Sequence, residues 1–334
     1  MKTRKLGRSG LQVTPICLGT MRFGGATDEA HSKAIIASAR EAGVNFSDTA
    51  DVYNEGASEE VVGRAIKGDR DHWVLATKAA NAMGPGPNEC GLSRKWLMKA
   101  ADASLKRLGT DYIDILYLHK EDHSTPLDET VRAIADLVRA GKIRYFGVSN
   151  HRSWRVAEIC HLCDDLGIDR PVVSQPYYNA FNRMPEVEHL PACGFYGLGV
   201  VPYSPLARGI LTGKYAPGQA APEGTRVARG DKRVMQTEWR PESLKLAQKV
   251  KARAEKRGMT AGQFAFLWVL ANPLVTSVIA GPRTMEQWTD YLGAFKATWN
   301  PADEAFIDGL VSPGHPSSPG YNDPAYPLEG RPVA

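Results

Sequence analysis

Cysteine is sparse in this chain: five residues in 334, at Cys17, Cys90, Cys160, Cys163 and Cys193. An odd, scattered set in a chain this long argues against a disulfide framework and for a reducing compartment. Cys160 and Cys163 have the spacing of a metal or redox pair. No second pair follows at zinc spacing, however, and WRVAEICHLCDDLGI reads as an amphipathic helix, so the pair is taken as structural and no metal is expected. No apolar run approaches the ~18 residues that cross a bilayer. The N-terminal stretch MKTRKLGRSGLQVTPICLG is basic, broken by glycines and without the apolar centre of a secretory leader, so a cytoplasmic location and no membrane partner are expected. Net charge is only +4, and lysine and arginine form no dense run, which leaves a nucleic-acid role without support but suits a small anionic ligand. Neither GxGxxG nor GxxxxGK[ST] occurs, and GPGPNE at 84–89 is a proline-rich loop that opens no helix, so a Rossmann or P-loop nucleotide site is not expected.

What is present is an alternation. Short apolar runs, VTPICLG (13–19), VNF (44–46), HWVLATK (72–78), YIDILYLH (112–119), IRYFGVSN (143–150), PVVSQ (171–175), LGVVPYS (198–204) and VTSVIAG (275–281), are separated by segments with helical spacing or by loops. Helices are expected over 28–42, 58–67, the SRKWLMKAADASLKRLG and LDETVRAIADLVRAGK segments, the stretch holding Cys160, 241–257 and MEQWTDYLGAF, with a looser segment near 186–189. Runs apolar on both faces are the mark of parallel strands covered on both sides. About eight such units predict an α/β fold, a (β/α)8 TIM barrel formed as one domain over 1–334. The GRSG turn ahead of Val13 predicts an N-terminal β-hairpin capping the bottom of the barrel, and extra helices are expected beyond the eight units. The tail over 312–334 is rich in proline, glycine and serine and is expected to be irregular, with Tyr321 and Tyr326 favouring docking over disorder.

The strand runs end in polar residues: Thr20 and Met21, then Asp48 to Tyr53, Lys78, His119, Ser149 with Asn150, Gln175, Tyr203, and Gly281 to Arg283. A barrel gathers these C-terminal ends around one mouth, where barrel enzymes carry their active sites. Asp48, Tyr53, Lys78 and His119 are therefore expected to converge. A phenol is a weak acid, and a nearby ammonium fixed by a carboxylate is expected to lower its pKa. With a histidine to orient a substrate oxygen, the group is a general acid for a carbonyl that receives a hydride. Singly, each residue is as readily a loop or core residue; at the ends of successive strands they form a constellation. Asp51 reads as a turn or helix-approach residue.

The sequence resembles the aldo-keto reductase superfamily over about residues 3–310, in its bacterial branch related to the potassium channel β subunits. The resemblance is carried by RKLGRSGLQVTPICLGTMRFGG, NFSDTADVYNEGASEEVVGRAI, VLATK, SLKRLGTDYIDILYLHKED, IRYFGVSN, VVSQPYYN, VVPYSPLARGILTGKY and VIAGPRTMEQWTD. It implies a barrel that binds NADP(H), with Asp48, Tyr53, Lys78 and His119 as the catalytic residues. A histidine rather than a glutamate at 119 implies reduction of an aldehyde or ketone rather than of a carbon–carbon double bond. It further implies that Asp48, Ser149, Asn150 and Gln175 face the nicotinamide end, that Tyr203 stacks on the ring, and that Ser204, Leu206, Gly209 and Lys214 belong to the loop over the pyrophosphate. Gly281, Arg283 and Gln287 would hold the adenosine end, with Arg283 suited to a 2′-phosphate. Thr20 and Met21 line the first loop, and Met21, Phe23, Tyr53 and His119 are expected in the substrate pocket, with further candidates in loops 81–87 and 216–239. The chain departs from the family pattern at Tyr291, where asparagine is usual, and at Ala280, where proline is common. Two other readings stay open at this point: an NADPH-binding redox-sensing subunit with slow turnover, and an aldolase-like barrel using Lys78 as a Schiff-base nucleophile. No particular carbonyl compound and no oligomeric state follow from the sequence.

Overall fold

The computed structural model describes residues 1–327. Its contacts group into two compact units. The first comprises Met1–Pro176, Glu188–Tyr203 and Pro273–Thr289, and the second Tyr177–Val187, Ser204–Asn272 and Asp290–Ala334.

All strands belong to the first unit. β1 (Arg4–Lys5) and β2 (Gln12–Val13) form an antiparallel hairpin with Arg4 opposite Val13. Eight parallel strands follow: β3 (Ile16–Gly19), β4 (Phe46–Asp48), β5 (Val74–Ala79), β6 (Ile113–Leu118), β7 (Ile143–Ser149), β8 (Val173–Gln175), β9 (Gly199–Val200) and β10 (Val278–Ala280). They pair in the order β10-β3-β4-β5-β6-β7-β8-β9. Val200 bridges Val275 in parallel, and the Ile279 amide donates to the Pro202 carbonyl at 3.0 Å, so the two outer strands also meet and the barrel closes. No edge is left unpaired along the ring, which is what closure accomplishes for a sheet. The (β/α)8 expectation holds. The interior cluster includes Cys17, Phe46, Val74, Ala76, Ile115, Tyr117, Val173, Val201 and Ile279.

The hairpin lies where the sequence placed it. Gly7 sits at φ +54°, and a Cβ there would lie 2.5 Å from the Gly199 nitrogen and 2.6 Å from the Val172 carbonyl oxygen. Those atoms belong to the N-terminal ends of β8 and β9, so the hairpin covers the bottom of the barrel, and only glycine allows the approach.

The helices of the first unit start and stop on local signals. α1 (Glu29–Glu41) is capped by Asp28, which accepts from the His31 amide at 2.9 Å. α2 (Ala57–Ile66) follows β4, and α3 (Arg94–Leu108) is capped by Ser93 and ends on Gly109 at φ +61°. α4 (Leu127–Arg139) opens with Asp128 and Glu129 and closes with Arg139, in keeping with its dipole. α5 (Ser153–Asp165) buries Cys160 and Cys163 as free thiols, pushed up to about 11 and about 12 by burial. α6 (His189–Tyr196) begins where the looser segment near 186–189 ends, and was not expected.

The second unit contains α7 (Lys232–Thr237), α8 (Pro241–Lys256), α9 (Ala261–Ala271) and α11 (Pro301–Asp308), while α10 (Met285–Gly293) follows β10. α7 falls inside the expected long loop, and α9 and α11 are helices that the apolar periodicity did not reveal. α9 has a complete capping box between Thr260 and Gln263 and buries nearly all of its residues. The described part of the tail is docked in this unit. Ser317 donates its amide to the Phe181 carbonyl at 2.9 Å, Arg233 pairs with Asp323 at 2.6 Å, and the Arg240 guanidinium lies 3.8 Å from the centre of the Tyr321 ring. The rest of the expected irregular tail, 328–334, lies outside the described residues. Among the described residues no helix is long and apolar enough to cross a membrane.

Candidate active site

Four catalytic candidates meet at the C-terminal ends of β4, β5 and β6. The strand expected at 44–46 runs instead from Phe46 to Asp48, and Asp48 is its last residue, paired in register with Gly19 and Ala76. That shift fixes the carboxylate on a rigid element. Lys78, on β5, is wholly buried. Its Nζ donates to Asp48 Oδ1 at 2.5 Å, to the Thr49 carbonyl at 2.7 Å and to the Tyr53 hydroxyl at 3.2 Å. These are the three donor directions of an ammonium, and all are used. Gln175, from the end of β8, donates to the other oxygen, Asp48 Oδ2, at 2.9 Å. His119 follows β6, and its ring stands edge-on to Tyr53 with centroids 6.0 Å apart and planes at 83°.

The electrostatics depart from the sequence expectation at Tyr53. Burial raises its pKa, and the opposing pull of Lys78 does not overcome that; Asp48 adds to the rise. The expected lowering is therefore corrected: the phenol keeps its proton, because an uncompensated phenolate in this dry site costs more than the ammonium returns. Burial also raises Asp48 against the pull of Lys78. For Lys78, burial favours the neutral amine, but Asp48 and Tyr53 outweigh it and hold the ammonium above its ordinary pKa. His119 is driven well below 6.5 by burial and by the positive charges of Lys78 and Lys120, so its imidazole is neutral at physiological pH.

A second circle of polar groups adjoins the four. Ser149 donates to the Gln175 carbonyl at 2.9 Å, Asn150 donates to the His119 carbonyl at 2.9 Å and to Ser149 Oγ at 3.0 Å, and the Tyr203 hydroxyl donates to Asn150 Oδ1 at 2.8 Å. Asn150 takes φ +57°, a left-handed conformation that asparagine tolerates better than most residues. Tyr203 is thereby tethered by its hydroxyl with its ring half-exposed. Thr20 is wholly buried and binds the Asp48 carbonyl and Ser58, so it is a joint between β3, β4 and α2. Of the expected pocket residues, Met21 is exposed and Phe23 is fully buried. Asn54 at φ +49° holds both of their carbonyls, at 3.2 and 2.7 Å.

Just after β10, a Cβ at Gly281 would meet only the Gly19 carbonyl oxygen, at 4.0 Å. The Arg283 amide donates to Gln287 Oε1 at 2.8 Å, and Thr27 donates to the Arg283 carbonyl at 2.9 Å, which fixes this loop to the first one. Ser204, Leu206, Gly209 and Lys214 belong to the second unit, where Ser204 has φ +57° and Gly209 has φ +99° with the Lys214 side chain beside it. In the same unit Asp290 accepts from Thr260 at 3.0 Å and Gln263 at 2.9 Å, and the Tyr291 ring packs edge-on against Phe266 at 5.5 Å.

Asp51 lies in the turn that leads into the helix after β4, as read from sequence, but it is wholly buried there. One oxygen accepts from the Val52 amide at 2.7 Å, and the other, Oδ2, has no partner. Burial, aided by the negative charge of Glu59, raises it to about 7. Glu59 itself is fully buried between Arg107 at 2.6 Å and Thr77 at 2.5 Å. A carboxyl raised above its unfolded value favours the folded state at low pH, and that contribution is lost as pH rises from about 4 through about 7. Asp51→Asn is thus expected to leave stability little changed near pH 4.5 and to raise it above pH 8 by at most about 4 kcal/mol, roughly three pKa units. Denaturant unfolding of both proteins at the two pH values measures this; an equal effect at both would refute it.

A sequence profile of the aldo/keto reductase family matches residues 15–311. A probable voltage-gated potassium channel subunit beta from Arabidopsis thaliana is 40% identical over 287 residues, covering 84% of this chain and 87% of that protein. An L-glyceraldehyde 3-phosphate reductase of Escherichia coli is 34% identical over 329 residues, 94% of this chain and 93% of the other. An uncharacterized oxidoreductase of Bacillus subtilis is 38% identical over 309 residues, 88% and 91% of the two chains. With its eight-stranded parallel barrel and N-terminal hairpin, the chain belongs to the aldo/keto reductase family, and its function is of the oxidoreductase kind that acts on aldehydes or ketones.

Proposed function

We propose that this protein is an NADPH-dependent reductase that converts an aldehyde or ketone to its alcohol, with Tyr53 as the proton donor. The observation that carries this is the single ammonium of Lys78 bonded at once to Asp48 and to the Tyr53 phenol, beside a neutral histidine. Bound NADPH would supply the hydride. The residues present suit that cofactor: neutral amide and hydroxyl groups at Ser149, Asn150 and Gln175 match a neutral carboxamide, the tethered Tyr203 ring offers an aromatic face, and Arg283 offers a guanidinium to a phosphate.

The chain's own residues then divide the work. Tyr53 holds its proton until negative charge develops on the carbonyl oxygen, and gives it up from its hydroxyl. Lys78 stabilises the phenolate that remains, and Asp48, anchored by Gln175, keeps the ammonium in place. His119 orients the oxygen by hydrogen bonding. The high pKa of Tyr53 in the resting site fits a donor that is armed only when charge appears on its acceptor. A Schiff-base role for Lys78 is disfavoured, because an amine held protonated by two partners has no free lone pair.

Fluorescence titration with NADPH and NADH, followed by a panel of aldehydes and ketones, tests the reading. Tight NADPH binding with turnover supports it, tight binding without turnover favours a cofactor-binding subunit, and absence of binding contradicts both. Arg283→Leu is expected to weaken NADPH binding about 10- to 100-fold while leaving NADH nearly unchanged, as fits loss of charge-assisted bonds to a 2′-phosphate. Equal weakening of both nucleotides would remove Arg283 from that role.

A further inference from the structure

We infer that Asn81 is a positioning residue for His119: its side-chain amide selects the imidazole tautomer that points an N–H at the reacting oxygen. The inference rests on the reductase reading above. Asn81 Nδ2 lies 3.0 Å from His119 Nδ1. In this orientation of the amide, Nδ2 donates and Nδ1 accepts and carries no proton; the reversed amide would instead pair Oδ1 with Nδ1–H, which the NMR experiment below distinguishes. A neutral imidazole has one ring proton, which therefore resides on Nε2. That nitrogen then offers a donor on the side of the ring away from Asn81. Without the amide contact the ring could hold its proton on Nδ1 and turn a lone pair toward the carbonyl oxygen, which would repel the charge that develops there.

The chain spends backbone strain to place this amide. Ala80, immediately before it and wholly buried, has φ +149°, a region that residues with side chains rarely enter. The loop is closed on itself by the Gly91 amide donating to the Ala80 carbonyl at 2.8 Å and by the Met83 amide donating to the Glu89 carbonyl at 3.0 Å. The other side of His119 is held as well, since Asn150 donates to its backbone carbonyl at 2.9 Å. The ring is thus fixed by one amide at Nδ1 and another at its main chain, leaving Nε2 uncommitted.

The charged and titratable groups around the ring are Lys78 from β5, with Asp48 from β4 on its far side, Tyr53 from the turn after β4, and Lys120 next in sequence. The lysines oppose a second ring proton, so the tautomer, rather than the charge, is what the site must choose.

Asn81→Asp separates this role from simple packing. A carboxylate accepts where the amide donated, so it draws the proton to Nδ1 and raises the imidazole pKa. The expected result is a loss of roughly 10²-fold in kcat/KM near pH 8, comparable to removing one oxyanion donor. NADPH affinity is expected to be unchanged. Activity is expected to recover as pH falls, because the imidazolium again carries a proton on Nε2, whereas wild type shows no such rise. Asn81→Ala, which has no acceptor, is expected to lose activity without acid recovery. Long-range proton–nitrogen NMR of His119 reads the tautomer directly in the cofactor-free protein, and so independently of whether the chain reduces carbonyls. Nε2–H in wild type and Nδ1–H in Asn81→Asp support the proposal. Nδ1–H in wild type, or an unchanged tautomer in the variant, overturns it even if reductase activity is confirmed.

Discussion

Replacement of Tyr53 by phenylalanine is expected to lower kcat for carbonyl reduction by at least about 10²- to 10⁴-fold, the range a positioned general acid supplies. The fold is expected to survive. Lys78 keeps Asp48 Oδ1 and the Thr49 carbonyl as acceptors, and loses only its longest bond, the one of 3.2 Å to the phenol. That loss is worth about 1 kcal/mol. NADPH affinity is expected to stay near that of wild type, because in the proposed mechanism the hydroxyl acts on the substrate oxygen. The informative comparison is therefore turnover against binding in the same preparation. A variant that binds NADPH normally and still turns over at the wild-type rate would require another proton donor, and His119, whose ring stands edge-on to Tyr53, is held neutral with a pKa too low to serve at pH 7.

The second large effect concerns Lys78. Lys78→Met removes the cation from a site where it is completely buried, and leaves the Asp48 carboxylate with only the Gln175 amide as a side-chain partner. Breaking one side of a buried ion pair costs about 3–5 kcal/mol. Turnover is expected to be lost as well, since nothing remains to stabilise the Tyr53 phenolate. The double variant Lys78→Met with Asp48→Asn makes the two consequences separable. It removes the stranded charge and is expected to recover most of the stability in denaturant unfolding, but none of the activity. Recovery of both would mean that Lys78 serves only to neutralise Asp48.

The barrel was legible because its strands are buried on both faces and so appear as apolar runs, each followed by a polar residue at the rim. Lys78 and His119 were placed by that rule alone. α9 escaped because AGQFAFLWVLA is apolar all round, and a helix without a polar face has no periodicity to detect. α11 is only eight residues long, little more than two turns, too short for its apolar spacing to stand out. The contact between Gln175 and Asp48 joins positions 127 apart, and no local pattern reports it. The direction of the Tyr53 pKa was misjudged for a related reason. Sequence named the lysine that would lower it, but the desolvation that raises it is a property of the assembled site. Asp51 shows the same gap, since a carboxylate in a turn gives no sign that the turn will be withdrawn from water.

The central claim of the proposed mechanism is that a hydride reaches the carbonyl carbon while a proton reaches its oxygen from Tyr53. The most direct test is turnover of an aldehyde that the protein accepts, using NADPH deuterated at nicotinamide C4, with the alcohol examined by mass spectrometry and NMR. The account predicts one deuterium on the carbinol carbon, and for Tyr53→Phe the same labelled alcohol formed about 10²- to 10⁴-fold more slowly. Alcohol formed without deuterium from either face of the labelled cofactor, or a failure to consume any carbonyl while NADPH is bound, would contradict it.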